Sequence, residues 1–170
     1  FLNVSNTSLN TTISNEYGVQ VSTIEHLMGA LFGLGIDNAL TEIDNEEVPI
    51  MDGSAIDFLN ILNKTGIITL TKKRKYLKIL DKVELIDGER RISIEPNELS
   101  FEVEFQLNYE NKIIGKQRNF INFQNDNVDD VSKSRTFCLF EDIEKIKKIG
   151  LAKGGSLNNA VVVNQDKVLN

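Results

Sequence analysis

Apolar residues between positions 24 and 32 recur at intervals of three and four, which is the stripe of an amphipathic helix. The stripe consists of Ile24, Leu27, Met28, Leu31 and Phe32. Ser22 precedes Glu25 by three residues, the spacing of a capping box, and the glycines at positions 33 and 35 are expected to end the helix. The pattern therefore predicts a helix that begins near residue 24 and packs its apolar stripe on a core.

Shorter patterns surround this helix in the first part of the chain. The first 14 residues are strand-like, and residues 36–43 also read as a strand. Residues 54–64 form a second predicted helix, capped by Ser54, with Asp57 in its first turn. Strands and helices thus alternate up to the basic run at residues 72–78.

Beyond the basic run, an alternating pattern of apolar and polar residues dominates. Residues 76–86 and 91–96 flank a turn at Asp87 and Gly88, and apolar side chains alternate strictly from Phe101 to Tyr109. This alternation is typical of a half-buried antiparallel sheet. Residues 140–150 predict a third helix with Gly150 at its end, followed by a glycine turn and an apolar strand.

These elements indicate the α+β class, with helices packed on mixed sheets in both halves of the chain. The basic run is interpreted as a solvated linker, which places a domain boundary between residues 1–71 and residues 72–170. Composition agrees with a globular protein: 41% of the 170 residues are hydrophobic and 26% are charged.

Charge and cysteine content exclude several classes of function. A net charge of -6 argues against binding to nucleic acid, because phosphate backbones require clustered lysine and arginine. No apolar stretch approaches the roughly 20 residues of a membrane-spanning helix. The single cysteine, Cys138, cannot form an internal disulfide, and its apolar neighbours indicate a buried strand, so a cytoplasmic protein is expected.

The only histidine, His26, follows Glu25 at the start of the first predicted helix. Helix geometry places His26 opposite the apolar stripe, beside Gly29, Ala30 and Gly33, whose small size permits close approach. A neutral imidazole binds metals, and a carboxylate nearby could accept a proton from water. The alternative is a capping box beside a surface histidine. A catalytic zinc site requires about three protein ligands, so spacing alone leaves both interpretations open.

Two other motifs have structural interpretations. Asp52, in the stretch MDGSA, is predicted to cap backbone amides of its own turn rather than to act as a ligand. The stretch AKGGS is not a phosphate-binding loop, because it lacks the final lysine and hydroxyl residue and leads into a strand.

Two long stretches carry a family resemblance. Residues 21–55 (VSTIEHLMGALFGLGIDNALTEIDNEEVPIMDGSA) and residues 134–170, which begin SRTFCLF, resemble the first-domain and second-domain signatures of the zinc-dependent UDP-3-O-acyl-N-acetylglucosamine deacetylases. Residues 7–12 are similar to the strand that precedes the first signature. The resemblance implies two similar domains, each a mixed sheet with helices packed on it, and an active site between the layers.

The resemblance also implies a chemistry, namely hydrolysis of the N-acetyl group of an acylated, UDP-linked N-acetylglucosamine in lipid A biosynthesis. His26 would be one of three Zn²⁺ ligands, Glu25 the general base, Thr136 a donor to the oxyanion, and Phe137 an aromatic beside the sugar. The other two ligands would come from an H-K-x-x-D-x-x-G-D motif, which this sequence does not contain. Residues 1–170 alone are therefore expected to be inactive.

Residues 138–163 match an inserted β-α-β unit that, in the family, forms an apolar passage for the acyl chain. The expected lining residues are Phe140, Ile143, Ala152, Gly155, Ser156 and Val162. From the sequence alone, Ile143 and Val162 are also typical of a core, and the glycines of a simple turn. A monomer is expected. The competing hypothesis is a non-catalytic α+β module that binds a lipid or a protein partner.

Overall fold

A computed structural model describes residues 3–98, 100–126 and 128–170 of the chain. Its strands are β1 (Val4–Asn6), β2 (Thr12–Ser14), β3 (Gln20–Val21), β4 (Val83–Asp87), β5 (Arg90–Ile94), β6 (Glu102–Asn108), β7 (Lys116–Asn122), β8 (Phe137–Leu139) and β9 (Val161–Val163). Its helices are α1 (Glu25–Gly33), α2 (Ile56–Thr65), α3 (Val128–Ser132) and α4 (Ile143–Lys148). This mixture of helices and several small sheets agrees with the predicted α+β class. The parts of the strand predictions that fall on residues 1, 2 and 99 lie outside the described residues.

The first three strands form an antiparallel sheet in the order β1-β2-β3. The chain after β3 pairs with a distant segment, since the Ser22 amide donates to the Glu46 carbonyl (2.8 Å) and the Val48 amide donates to the Ser22 carbonyl (3.0 Å). The predicted strand at 36–43 is wrong, because those residues have no regular structure and Leu40 is fully exposed. Extended pairing occurs instead at residues 46–48, where a partner is available.

Helix α1 ends at Gly33 as predicted, but the predicted capping box is wrong. The Ser22 hydroxyl donates to the Glu46 carbonyl (3.1 Å), and the Glu25 carboxylate accepts a hydrogen bond from the Thr11 amide (3.0 Å). Both side chains therefore bind segments that are distant in sequence rather than each other. Tertiary contacts have replaced the local cap.

The packing of α1 also differs from the stripe prediction. Met28 and Phe32 are more than half exposed, whereas Ala30, on the side of His26, is completely buried. A Cβ atom added at Gly29 would lie 3.9 Å from the Cβ atom of Ala55, so small residues let α1 approach the start of α2 closely. The Phe32 ring instead packs edge-on against Phe101 and Phe123, with centroid distances of 5.6 and 5.5 Å.

Helix α2 is confirmed, but it begins at Ile56 instead of residue 54, and Ala55 rather than Ser54 occupies the N-cap position. The Ser54 hydroxyl accepts a hydrogen bond from the Ile56 amide (3.2 Å), and Asp57 lies in the first turn. The helix ends at Gly66, which has a φ of 90°. Residues 72–78 after it are exposed and irregular, as expected of a solvated linker.

The second half contains two separate hairpin-like pairs. Strands β4 and β5 are antiparallel, with Val83 opposite Ile94 and Leu85 opposite Ile92, and β6 pairs antiparallel with β7. The predicted strands at residues 91–96 and from Phe101 to Tyr109 are therefore confirmed, whereas the one at residues 76–86 is confirmed only from Val83, because residues 76–82 are irregular. The expected half-burial is confirmed only in part, because all residues of β4 and β5 are exposed and Phe105 of β6 is exposed.

The last unit has the predicted strand, helix and strand. Strands β8 and β9 are parallel. A 3-10 turn (Phe140–Asp142) and α4 lie between them in the chain and form the crossover connection. Gly150 follows α4 with a φ of 84°, as a helix-ending glycine should. Val162 and Val163 are buried and form part of a small core.

The proposed boundary near residue 72 separates segments that nevertheless contact each other. The Ala55 amide donates to the Ser132 carbonyl (3.0 Å), and the Thr136 amide donates to the Gly53 carbonyl (2.7 Å). The division into domains at residues 1–71 and 72–170 stays a prediction. Within the described ranges, no helix is long and apolar enough to cross a membrane.

Candidate active site

Glu25 and His26 lie in the first turn of α1, and both are half-buried. One carboxylate oxygen of Glu25, Oε2, is engaged by the Thr11 amide, and the Ile24 amide donates to the Thr11 carbonyl (3.4 Å). Thr11 therefore holds both the start of the helix and the carboxylate. This contact joins residues 14 positions apart, and no local pattern in the sequence indicated it.

Thr23, two residues before Glu25, has a left-handed backbone conformation with a φ of 57°. This conformation is strained for a β-branched side chain. Thr23 is 5% exposed, and its hydroxyl donates to Oε1 of Glu47 (2.8 Å). A hydrogen bond from a buried hydroxyl to an exposed carboxylate thus holds the strained residue that precedes α1. The sequence did not indicate this role, because threonine is not typical of left-handed positions.

The segment at residues 52–55, called the central turn below, is fixed by Asp52. Its Oδ1 atom accepts hydrogen bonds from the Ser54 amide (2.9 Å) and hydroxyl (2.7 Å), which confirms the predicted capping role. Partial burial, which alone would raise the pKa of Asp52, is outweighed by the Ser54 hydrogen bonds and the positive charge of Arg135, so the pKa lies below its usual value.

The central turn connects α1 to the second candidate group. Ala55 faces Gly29, one helical turn after His26, while the carbonyl of Gly53 accepts the amide of Thr136. The central turn therefore lies against α1 at Gly29 and against Thr136, one candidate of the second half of the chain.

Thr136 and Phe137 are half-buried at the start of β8. The Thr136 amide donates to Gly53, and its carbonyl accepts from the Val161 amide (2.9 Å). Both backbone groups of Thr136 are thus used in fixing its position. The ring of Phe137 packs edge-on against Tyr109, with a centroid distance of 5.6 Å.

The expected passage residues all belong to the β8-α4-β9 unit, but they differ in burial. Phe140, Ala152, Gly155 and Ser156 are exposed. Ile143 is half-buried, and Val162 is 5% exposed, in agreement with its alternative interpretation as a core residue. The participation of these residues in an acyl passage stays a prediction.

The candidate metal ligands do not form a complete site among the residues that the structure describes. Those residues include no cluster of three or more histidine, cysteine, aspartate or glutamate side chains that could hold a metal ion. Burial, and to a lesser extent the charge of Asp142, raise the pKa of the Cys138 thiol, which disfavours the thiolate that a metal would need. The role of His26 as a metal ligand stays a prediction.

Comparison with known proteins identifies the family. The family model described as LpxC, UDP-3-O-acyl N-acetylglycosamine deacetylase, matches residues 1–170. The chain belongs to this deacetylase family. The match covers the segments that carry Glu25, His26, Thr136 and Phe137 together with the central turn that connects them.

Individual members of the deacetylase family are similar along almost the whole chain. Proteins named UDP-3-O-acyl-N-acetylglucosamine deacetylase from Nautilia profundicola and Phenylobacterium zucineum are each 44% identical to it, over 169 and 170 residues and 98% of the chain. The protein of the same name from Campylobacter fetus is 40% identical over 169 residues, or 99% of the chain. The chain spans about 57% of the length of these three relatives.

Proposed function

We propose that the protein containing this chain is a zinc-dependent hydrolase that removes the N-acetyl group from UDP-3-O-acyl-N-acetylglucosamine in lipid A biosynthesis. The family match over residues 1–170 is the observation that carries this proposal. The geometry supports it, because the central turn lies against both the middle of α1 and Thr136. A cytoplasmic location is part of the proposal, since the only cysteine lacks a partner for a disulfide within the 170 residues.

Glu25 is assigned the role of general base. The Thr11 amide orients its carboxylate through Oε2, and a carboxylate held in this way can accept a proton from the attacking water. Thr136 is assigned the donor to the oxyanion that forms when water attacks the acetamide carbonyl. Its backbone is held on both sides, so the hydroxyl has a defined position.

Zinc, when bound, would polarise the acetamide carbonyl and make the attacking water more acidic. His26 fits a ligand role by position, since small residues follow it on its face of α1. One imidazole is only part of a site that needs about three protein ligands. The proposal therefore places the remaining ligands in parts of the protein other than these 170 residues.

The β8-α4-β9 unit is proposed to contact the acyl chain of the substrate. Exposed Phe140 and the half-buried Ile143 offer apolar surface, and Ala152, Gly155 and Ser156 permit close approach of an alkyl chain. Each methylene group that becomes buried contributes about 0.8 kcal/mol, so a long acyl chain would contribute much of the binding free energy.

Acetate release by the full-length protein tests the proposal against the alternative of a non-catalytic binding module. We expect His26→Ala to lose both bound zinc and turnover. Glu25→Gln should keep zinc and lose most of kcat, because the base is gone while the ligands remain. The exposed Glu16 provides a control, and Glu16→Gln should behave as the wild type.

Three results would contradict the proposed function or one of its parts. One is wild-type protein that binds the acylated UDP-sugar without releasing acetate, which would favour the binding module. Another is a Glu25→Gln variant with near-normal kcat, which would remove Glu25 from the reaction. The absence of an H-K-x-x-D-x-x-G-D motif from the full-length sequence would likewise contradict the zinc site.

A further inference from the structure

Arg135, the residue immediately before Thr136, connects three segments that are far apart in the sequence. Its Nε atom donates to the carbonyl of Asp52 (2.7 Å), and its Nη2 atom donates to the carbonyl of Asn158 (2.6 Å). Asp52 begins the central turn, and Asn158 lies in the loop that leads into β9. A single guanidinium group thus joins the central turn, the start of β8 and the end of the β8-α4-β9 crossover.

Gly53 makes this junction possible because it has no side chain. Its φ of 87° is left-handed, and a Cβ atom added there would collide with the carbonyl of Asn159. The same atom would lie 3.2 Å from Cγ2 of Thr136, so the threonine methyl group is on the side of Gly53. The Thr136 amide and methyl group therefore lie against the central turn, and its carbonyl accepts from Val161, which leaves the hydroxyl as its remaining polar group.

We propose that Arg135 is a positioning residue that acts through Thr136. The inference rests on the proposed function, in which the Thr136 hydroxyl donates to the oxyanion. A planar guanidinium can donate to two carbonyls in fixed directions, whereas a lysine ammonium is a single point charge on a flexible stem. Because Arg135 and Thr136 are consecutive, a displacement of the Arg135 backbone moves the Thr136 hydroxyl directly.

A double-mutant cycle in the full-length, zinc-loaded protein tests this assignment. Arg135→Lys should displace the Thr136 hydroxyl. We therefore expect this variant to lower kcat for acetate release by about tenfold, with KM little changed. Thr136→Val removes the donor and should lower kcat by about 100-fold. If Arg135 acts through Thr136, the double variant should be no slower than Thr136→Val alone.

Arg74 offers a matched control for the loss of a guanidinium. It also donates from Nε and Nη2, to Oδ2 of Asp37 (2.7 Å) and to the Gly35 carbonyl (2.6 Å), in an exposed contact that includes none of the candidate site residues. Arg74→Lys should leave kcat and KM unchanged. Thermal denaturation identifies any variant that has not folded, and Arg135→Gln replaces Arg135→Lys in the cycle if that variant fails to fold.

The possible failures are distinguishable. Wild-type protein that releases no acetate would overturn the proposed function, and the assignment of Arg135 would fall with it. An active wild type with additive losses in the double variant, or an Arg135→Lys variant with normal kcat, would overturn only the assignment of Arg135. An equal loss in Arg74→Lys would also overturn it, because the effect would not depend on the contacts of Arg135.

Discussion

Thr23 is the residue at which local conformational preference and tertiary structure disagree most. A β-branched residue avoids positive φ, yet Thr23 adopts a φ of 57° while nearly buried. The hydrogen bond from its hydroxyl to Glu47, together with the pairing of Ser22 with residues 46–48, maintains this conformation. Backbone strain of this kind is commonly found at functional sites, and Glu25 follows two residues later.

Removal of the Thr23 hydroxyl should destabilise the protein. Thr23→Val keeps the shape and the strain but removes the hydrogen bond that the exposed Glu47 carboxylate accepts, which should cost about 0.5–1.5 kcal/mol. Urea denaturation of the full-length protein measures the free energy of unfolding. Thr65 provides the control, because its hydroxyl donates to the Ile61 carbonyl (2.9 Å) at an exposed helix end, so Thr65→Val should change stability far less. If Thr23→Val and Thr65→Val lose equal amounts of unfolding free energy, the contact of Thr23 with Glu47 has no special importance.

At the scale of elements, the correct predictions concern features that depend on neighbouring residues in the sequence. Helix α2, its Ser54 contact and the β4-β5 hairpin were predicted correctly, because neighbouring residues determine caps, periodicity and turns. The capping box at Ser22 was wrong, and so was the strand at 36–43. Both errors arise from partners distant in sequence, namely Thr11 and residues 46–48, which a local pattern does not contain.

The candidate site also divides into features that local sequence predicts and contacts that only the folded chain forms. Turn chemistry predicted the role of Asp52, whereas spacing drew attention to the Glu25–His26 pair but left its role open. The resemblance to the deacetylase family supplied the expected roles of that pair and added Thr136 and Phe137. The contacts of Arg135 and Gly53 could not be predicted, because each depends on a carbonyl at residues 158–159 that only the folded chain brings near. The junction between elements is therefore the part of the site that required the structure.

The loop before β9 allows a test of the proposed acyl passage at the scale of one element. A Cβ atom at Gly155 would lie 3.1 Å from the Ala152 carbonyl, whereas a Cβ atom at Gly154 would meet nothing within 4 Å. Gly155→Val should therefore raise KM for long-chain substrates more than for short-chain substrates, because the loop that contacts the chain is displaced.

Gly154→Val is the neighbouring control, and it should leave both KM values close to those of the wild type. Steady-state kinetics of the full-length protein with substrates of two acyl lengths provides the measurement. Equal increases in KM for the two lengths in Gly155→Val would contradict a role of this loop in acyl recognition, since a general disturbance of the fold would affect both substrates alike.

At the scale of the whole molecule, large apolar side chains remain exposed on one face of the β4-β5 hairpin. Val83, Leu85, Ile92 and Ile94 form cross-strand pairs on this face, whereas the other face contains Ile86 and an ion pair between Arg91 and Glu84 (2.6 Å). Contiguous exposed apolar surface is typical of a face that another polypeptide, a membrane or a ligand covers. The relatives are longer than this chain, so in a protein of their length additional polypeptide would be available to cover this face.

Leu85 and Ile86 distinguish the two faces, because they are adjacent and similarly exposed in this structure, at 66% and 62%. If the face of Leu85 is covered in the full-length protein, Leu85→Glu buries a carboxylate there and should lower the free energy of unfolding by about 3 kcal/mol or more. Ile86→Glu, beside an ion pair on the solvated face, should change it by about 0.5 kcal/mol or less. Urea denaturation of both variants provides the comparison. If the two variants lower the free energy of unfolding by similar amounts, the face of Leu85 stays in water, and the alternation along β4 and β5 does not reflect burial.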